Sequence, residues 1–209
     1  MKSQDSSKLP EPNARKKPRN AASLILYRNL EGHTEVLMGK RHIRAKFAPN
    51  VYVFPGGAVD QSDFTQLSGT VQYATHMGVG TNSALAHALL VAAIREAREE
   101  TGLTLKLDSN ASCLRYLGRA ITPVFSPVRY HARFFAAHAD QFEGDLQGDG
   151  ELHHLHWVPI ETALTYSLID VTTFMLQELQ RELLGNRTRL PLFTYYGNIP
   201  RVFHSPIKG

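Results

Sequence analysis

Three carboxylates, Glu96, Glu99 and Glu100, crowd into the stretch Arg95-Glu96-Ala97-Arg98-Glu99-Glu100-Thr101-Gly102-Leu103. On a helix turning about 100° per residue, Glu99 and Glu100 fall about 60° and 40° to either side of Glu96. Like charges at that spacing repel, so a plain surface helix gains nothing from them. A hard divalent cation among the carboxylates would cancel the repulsion. Arg95 stands one turn before Glu99, where it can pair with that carboxylate and fix its orientation. On the opposite side Leu90, Ile94, Ala97 and Thr101 form a mostly apolar stripe suited to packing on a sheet. Gly102 ends the helix where a left-handed residue is usually required. His153, His154 and His156 offer a second metal-like cluster. Strand alternation would put His154 and His156 on one face and His153 on the other, so only two converge and packing on a strand is expected.

The stretch from Arg95 to Leu103 resembles the second half of the signature of Nudix hydrolases, which cleave nucleoside diphosphates linked to another group. That half reads Arg-Glu-apolar-any-Glu-Glu-any-Gly-apolar, and every specified position is filled. The first half is altered. Phe54-Pro55-Gly56-Gly57-Ala58-Val59-Asp60 resembles the strand-to-loop opening, with Gly57 as its fixed glycine. Asp63 stands where the family has glutamate, and residues 64–94 replace a much shorter spacer. That spacer divides into a polar inserted loop, 64–82, and an apolar extension of the helix capped by Asn82 or Ser83.

The resemblance implies Mg²⁺ or Mn²⁺ held by Glu96, Glu99 and Glu100, with the Gly56 carbonyl as a further ligand. Arg95 would orient the carboxylates, Asp63 would assist through a bound water, and Gly57 and Gly102 would support the loop and helix. For the general base it implies either a helix glutamate (Glu96 or Glu99) or an acid in a loop before a late strand, for which Glu151 is the candidate. Arg41, Phe54, Arg119 and Arg133 are candidates for contacting substrate, with Arg129 a further phosphate-binding candidate. Arg119-Ala120-Ile121-Thr122-Pro123, Arg129 to Phe135, and Glu151 followed by Trp157-Val158-Pro159 resemble a bacterial branch with a long insert, akin to the coenzyme A diphosphatases. The motif that marks coenzyme A-specific relatives is matched only in part: Arg41 fits its leading arginine, Lys46 replaces a second arginine, and Asn50 stands where glycine is expected. Coenzyme A or an acyl derivative, ADP-ribose, nucleotide sugars and dinucleoside polyphosphates all stay open as substrates. So does a catalytically silent nucleotide sensor.

The elements that must position these residues follow from pattern. Residues 22–28 and 35–41 read as strands around a turn containing Gly32, and 51–54 as a short buried strand. A long helix is expected over 83–101, strands over 113–121, 130–138 and 153–158, and helices over 160–166 and 168–184. The resemblance makes this an α/β (α+β) chain of the Nudix fold, a mixed sheet sandwiched between helices, over 21–189. The aromatic and proline-rich tail, 190–209, is expected to lie across the surface and leaves a homodimer open.

Composition narrows the function classes. The 209 residues carry a net charge of +4, and residues 1–20 alone hold six basic and two acidic residues, which accounts for the whole excess. A disordered basic leader on a neutral domain is expected, and a nucleic-acid partner is disfavoured without basic residues along a folded face. No apolar stretch approaches the roughly 20 residues that span a membrane, and no hydrophobic signal segment opens the chain. The single cysteine, Cys113, excludes an internal disulfide framework, so a cytoplasmic location and a small core residue are expected.

Overall fold

Twelve residues without proline or glycine, Arg19–Leu30, form the longest strand, β1. Ala22, Leu24 and Leu26 pack into one core while Ile25 points into another. Burial on both faces explains the near-continuous apolar run at 21–26. The computed structural model describes residues 17–45, 48–65, 82–106, 113–148 and 150–206. After β1 the chain turns through Glu31 and Gly32, with φ of 49° and 81°. Two successive positive φ values make the tight hairpin turn whose twist matches the strands it joins.

The elements then run β2 (His33–Arg41), β3 (Tyr52–Val53), β4 (Gly56–Ala58), a 3₁₀ turn (Gln61–Phe64), α1 (Ser83–Thr101) and β5 (Thr104–Leu105). There follow β6 (Arg115–Ile121), β7 (Tyr130–His138), β8 (Phe142–Glu143), β9 (Leu152–Pro159), α2 (Ile160–Ala163), α3 (Asp170–Leu183), β10 (Arg189–Tyr196) and β11 (Ile199–Pro206). The main sheet has the order β11-β10-β6-β7-β1-β2-β3, with β4 also on β1 and β9 on β2. β1 pairs parallel with β7 and β6 parallel with β10, and the other pairs are antiparallel. α1 seals one face through Leu89, Leu90, Ala93 and Ala97, and α2 and α3 seal the other through Ile160, Met175, Leu176 and Leu179. This is the mixed sheet between helices that the sequence led us to expect. Cys113 is half-buried against the α1-side core.

Three expectations change. Arg19 and Asn20 are not part of a leader but the first residues of β1, where Arg19 N–H donates to Arg129 O (2.9 Å) and the parallel ladder to β7 begins. Residues 1–16 lie outside the described residues, as do 66–81 of the expected inserted loop. The tail is not a surface strap: β10 and β11 form a hairpin that extends the sheet from β6. Its Pro191 fits because β6 has Gly118 opposite, where a Cβ would lie 2.8 Å from Pro191 Cγ. In β9 the pairing shifts between Met38–His156 and Lys40–His153, so His154 and Leu155 together face Gly39. This bulge, with His154 at φ 50°, breaks the alternation and puts His153 and His156 on one face instead of His154 and His156.

Candidate active site

α1 is held at both ends by the groups its sequence supplies. The Asn82 side chain accepts from Leu85 N–H (2.8 Å), and Gly102, at φ 78°, closes the last turn onto Arg98 O. Between these ends the helix lays Arg95 and Glu96 against β4. Gly57 permits the approach: a Cβ there would come within 2.6 Å of Glu96 Oε2 and closer still to Oε1. Gly56 is as tightly placed, since a Cβ would lie 2.7 Å from Ser23 Cα.

Arg95 is the hub. Its Nε and Nη2 fork onto Asp63 Oδ1 and Oδ2 (2.9 and 3.0 Å), Nη1 reaches Glu96 Oε1 (2.8 Å) and Glu99 Oε2 (3.1 Å), and Nη2 also meets Ala58 O (3.1 Å). Such paired N–H···O contacts fix orientation as well as charge. Asp63 is 0% exposed and also accepts from Asp60 N–H (2.7 Å), closing the 3₁₀ turn. This aspartate therefore positions Arg95 and its loop and does not border the cavity, unlike the water-mediated assistant expected from sequence.

The three helix carboxylates have distinct settings. Glu100 is buried and accepts from Gly56 N–H (2.7 Å), tying α1 to β4. Glu99 is exposed and Glu96 half-buried, and both line a cavity of about 680 Å³. Burial pushes the Glu96 carboxyl above its ordinary range, Arg95 pulls it down, and the charges of Glu99 and Glu151 push it up again. The bond to Asp63 is the largest cause that raises the Arg95 guanidinium above its already high ordinary value. Among the described residues, no three His, Cys, Asp or Glu side chains form a group ready to hold a metal ion. Glu96 Oε2 and Glu99 Oε1 nonetheless take no bond from Arg95. Two carboxylates at the wall of a cavity fit Mg²⁺, which takes one or two from protein and leaves the rest of its octahedron to water and phosphate.

Glu151, expected from its place before β9, also lines this cavity, beside Glu96 in the electrostatic sense just given. Arg41 and Phe54 line it too. Arg41 Nε is buried without a hydrogen-bond partner. Asn50, at φ 59°, donates its N–H to Arg41 O (3.2 Å). The glycine expected there is replaced by the residue that best tolerates left-handed backbone. Lys46 lies outside the described residues.

Arg119 and Arg133 are not brought to the cavity. They pair across β6 and β7, between Ala120 and Ala132 which do line it, so alternation sends the two arginines to the α1 side. There Arg133 donates to Asn20 Oδ1 and His131 O (both 2.8 Å). Beside them burial, and then the two guanidinium charges, push His131 down to about 4. Arg129 is likewise not among the cavity-lining residues. The sequence reading missed the far wall of the cavity, Phe193 and Tyr195 of β10 with Ile169, Val171 and Thr172 of α3. The signal was the two-residue spacing of Pro191, Phe193 and Tyr195, a strand period hidden by the prolines.

A family model described as the NUDIX domain matches residues 80–176. That match takes in all of α1 and runs into α3; β1 to β4 and the hairpin fall outside it. The fold is nevertheless shared with NUDIX structures over most of the chain. A NUDIX hydrolase from Alicyclobacillus acidocaldarius is 26% identical over 78% of this chain and 91% of its own, with a TM-score of 0.62. The NUDIX domain of Shewanella oneidensis NrtR, complexed with ADP ribose, is 13% identical over 83% of this chain and 93% of its own, with a TM-score of 0.55. An Ap4A hydrolase from C. elegans is 21% identical over 80% of this chain and 98% of its own, with a TM-score of 0.51. No curated protein matches the chain. Among the described residues no helix is long and apolar enough to cross a membrane.

Proposed function

We propose that this chain is a divalent-metal-dependent hydrolase of nucleoside diphosphates linked to another group. Its class, a hydrolase acting on phosphoanhydride bonds, follows from the NUDIX domain and the likeness to NUDIX hydrolases. One observation carries the rest: Arg95 fastens Glu96 and Glu99 side by side at the wall of a cavity large enough for a nucleotide.

A diphosphate resists water because its charges repel a nucleophile, so catalysis consists largely of neutralising charge and aligning the attack. A bound Mg²⁺ supplies that neutralisation and lowers the pKa of water. Glu96 and Glu99 would hold it through the oxygens that Arg95 leaves available, with Gly56 close by on β4. Arg95 keeps both carboxylates in place and stays charged. Glu100 acts one step back, through Gly56 N–H, by setting the distance between helix and glycine loop. Glu151 is our general base. It lines the cavity, and its charge is felt at Glu96.

For the substrate, Arg41 is the residue that favours coenzyme A or an acyl derivative. Arg95 is consumed by four acceptors, whereas Arg41 brings a cation to the cavity wall with a buried N–H still unpaired. A phosphate beyond the scissile diphosphate would satisfy it. The test is a hydrolysis screen in Mg²⁺ and in Mn²⁺ over coenzyme A, ADP-ribose, NADH, nucleotide sugars and dinucleoside polyphosphates. Turnover of one class, lost when the metal is chelated, supports the proposal. Tight binding without turnover of any compound would instead make the chain a nucleotide sensor.

A further inference from the structure

We infer that the cavity takes an elongated diphosphate, and that Phe193 and Tyr195 of the C-terminal hairpin hold the far end of its longer, uncharged arm. This rests on the proposal above that the α1 carboxylates mark the diphosphate end.

The floor of the cavity is a row of directly paired residues crossing five strands. Ala58 on β4 pairs with Ala21 on β1, Ala21 with Ala132 on β7, Ala132 with Ala120 on β6, and Ala120 with Phe193 on β10. All five line the cavity. Four methyl groups in register leave a trough in the sheet face, and the first large side chain along it is Phe193. Four strand spacings of about 4.8 Å make the trough roughly 19 Å long. An extended chain advances about 3.8 Å per three bonds, so spanning it takes roughly fifteen bonds. A single sugar ring next to the diphosphate falls well short.

The far end is built for an apolar or planar group. Phe193 packs on Phe174 of α3 (ring centroids 5.0 Å apart) and edge-on against Tyr195 (5.5 Å). Burial, then the charge of Asp170 and its hydrogen bond to the phenol, push Tyr195 up to about 12. The wall therefore stays neutral through the physiological range. Among the described residues, the cations that line the cavity are Arg41 and Arg95. Arg41 ends β2, across β1 from the hairpin, so neither cation belongs to this end. The hairpin lies beyond residue 176, where the NUDIX match stops.

Tyr195→Ala removes the far wall, and Ala132→Leu fills the middle of the trough. The probes are coenzyme A, whose pantetheine arm is long and uncharged, and ADP-ribose, too short to reach the hairpin. With Mg²⁺, either variant should raise KM for coenzyme A by about tenfold with kcat little changed, and spare ADP-ribose. A thermal melt checks that each variant is folded. Equal loss on both probes, or no change on coenzyme A, would overturn the inference. Wild-type turnover of neither probe would bear on the functional proposal, and binding still reads the trough. Metal-free calorimetry with coenzyme A then decides the trough: weaker binding by Tyr195→Ala supports it, while unchanged affinity or no binding by the wild type overturns it.

Discussion

Gly57→Ala separates the chemistry of this site from its stability. The added Cβ would sit 2.6 Å from Glu96 Oε2 and closer still to Oε1, so an ordinary contact of 3.4 Å requires the carboxylate to retreat by at least about 0.8 Å. It cannot do so freely, because Arg95 Nη1 grips Oε1 at 2.8 Å and is itself anchored on buried Asp63. Misplacing a catalytic group by about 1 Å costs on the order of a hundredfold in rate, or about 2.7 kcal/mol of transition-state stabilisation. The backbone raises no objection, since Gly57 is not among the positive-φ residues. A compatible Gly→Ala change loses less chain entropy on folding and stabilises by about 0.4–1 kcal/mol. The expected outcome is a kcat about a hundredfold lower with a Tm equal to or slightly above that of the wild type. Steady-state kinetics in saturating Mg²⁺ and a calorimetric melt of the same preparation read both. Turnover within a few-fold of wild type by a folded variant would refute the placement of Glu96 beside the reacting group. A collapsed Tm would refute the claim that the conflict is confined to one side chain.

Other variants address other links. Arg95→Met strands the buried Asp63 carboxylate, so chemical denaturation should show about 3–5 kcal/mol of lost stability, and the Asp63→Asn/Arg95→Met double variant should recover part of it. If the single variant is as stable as wild type, the hub is not structural. Glu100→Gln keeps an acceptor for Gly56 N–H but loses its charge, so kcat should fall by roughly tenfold in a folded protein; wild-type kinetics there would sink the positioning role of Glu100. His131 has a folded pKa near 4, below its unfolded value near 6.5, so the unfolded chain binds the extra proton between those pH values. Stability should therefore fall as pH drops from about 6.5 to 4, by on the order of 1–2 kcal/mol after allowance for its partial exposure. His131→Gln should flatten that slope in pH-dependent melts, and an unchanged slope would assign it elsewhere. At Asn50, Gly should be tolerated and Val should cost about 1–2 kcal/mol for the left-handed backbone, as equilibrium unfolding would show.

Much of the fold was legible because its strongest elements carry local signals. α1 runs from Ser83 to Thr101 as read from Asn82, the apolar stretch and Gly102. β7 matches its expected bounds, Tyr130–His138. The hairpin was not legible, since Pro191, Pro200 and Pro206 each remove a ladder donor and masked the period-two pattern around Phe193. The helix carboxylates and Arg95 could be grouped from spacing alone. What spacing could not give was their division of labour, because that depends on β4, distant in sequence: Glu100 turns under Gly56, while Glu96 and Glu99 face the cavity. Arg119 and Arg133 were misplaced for a related reason. Arginine content marks affinity for phosphate, but only the register against Ala120 and Ala132 shows which face each side chain takes.

The most direct test is release of a nucleoside monophosphate product from a diphosphate in Mg²⁺, by wild type and by Glu96→Gln side by side. Glu96 sits at the crossing of the Arg95 hub, the Gly57 contact and the cavity wall. Metal-dependent turnover by the wild type, with a loss of at least about a hundredfold in a folded Glu96→Gln protein, is the result expected. Equal turnover by the two proteins, or wild-type turnover indifferent to chelation of the metal, would contradict the account.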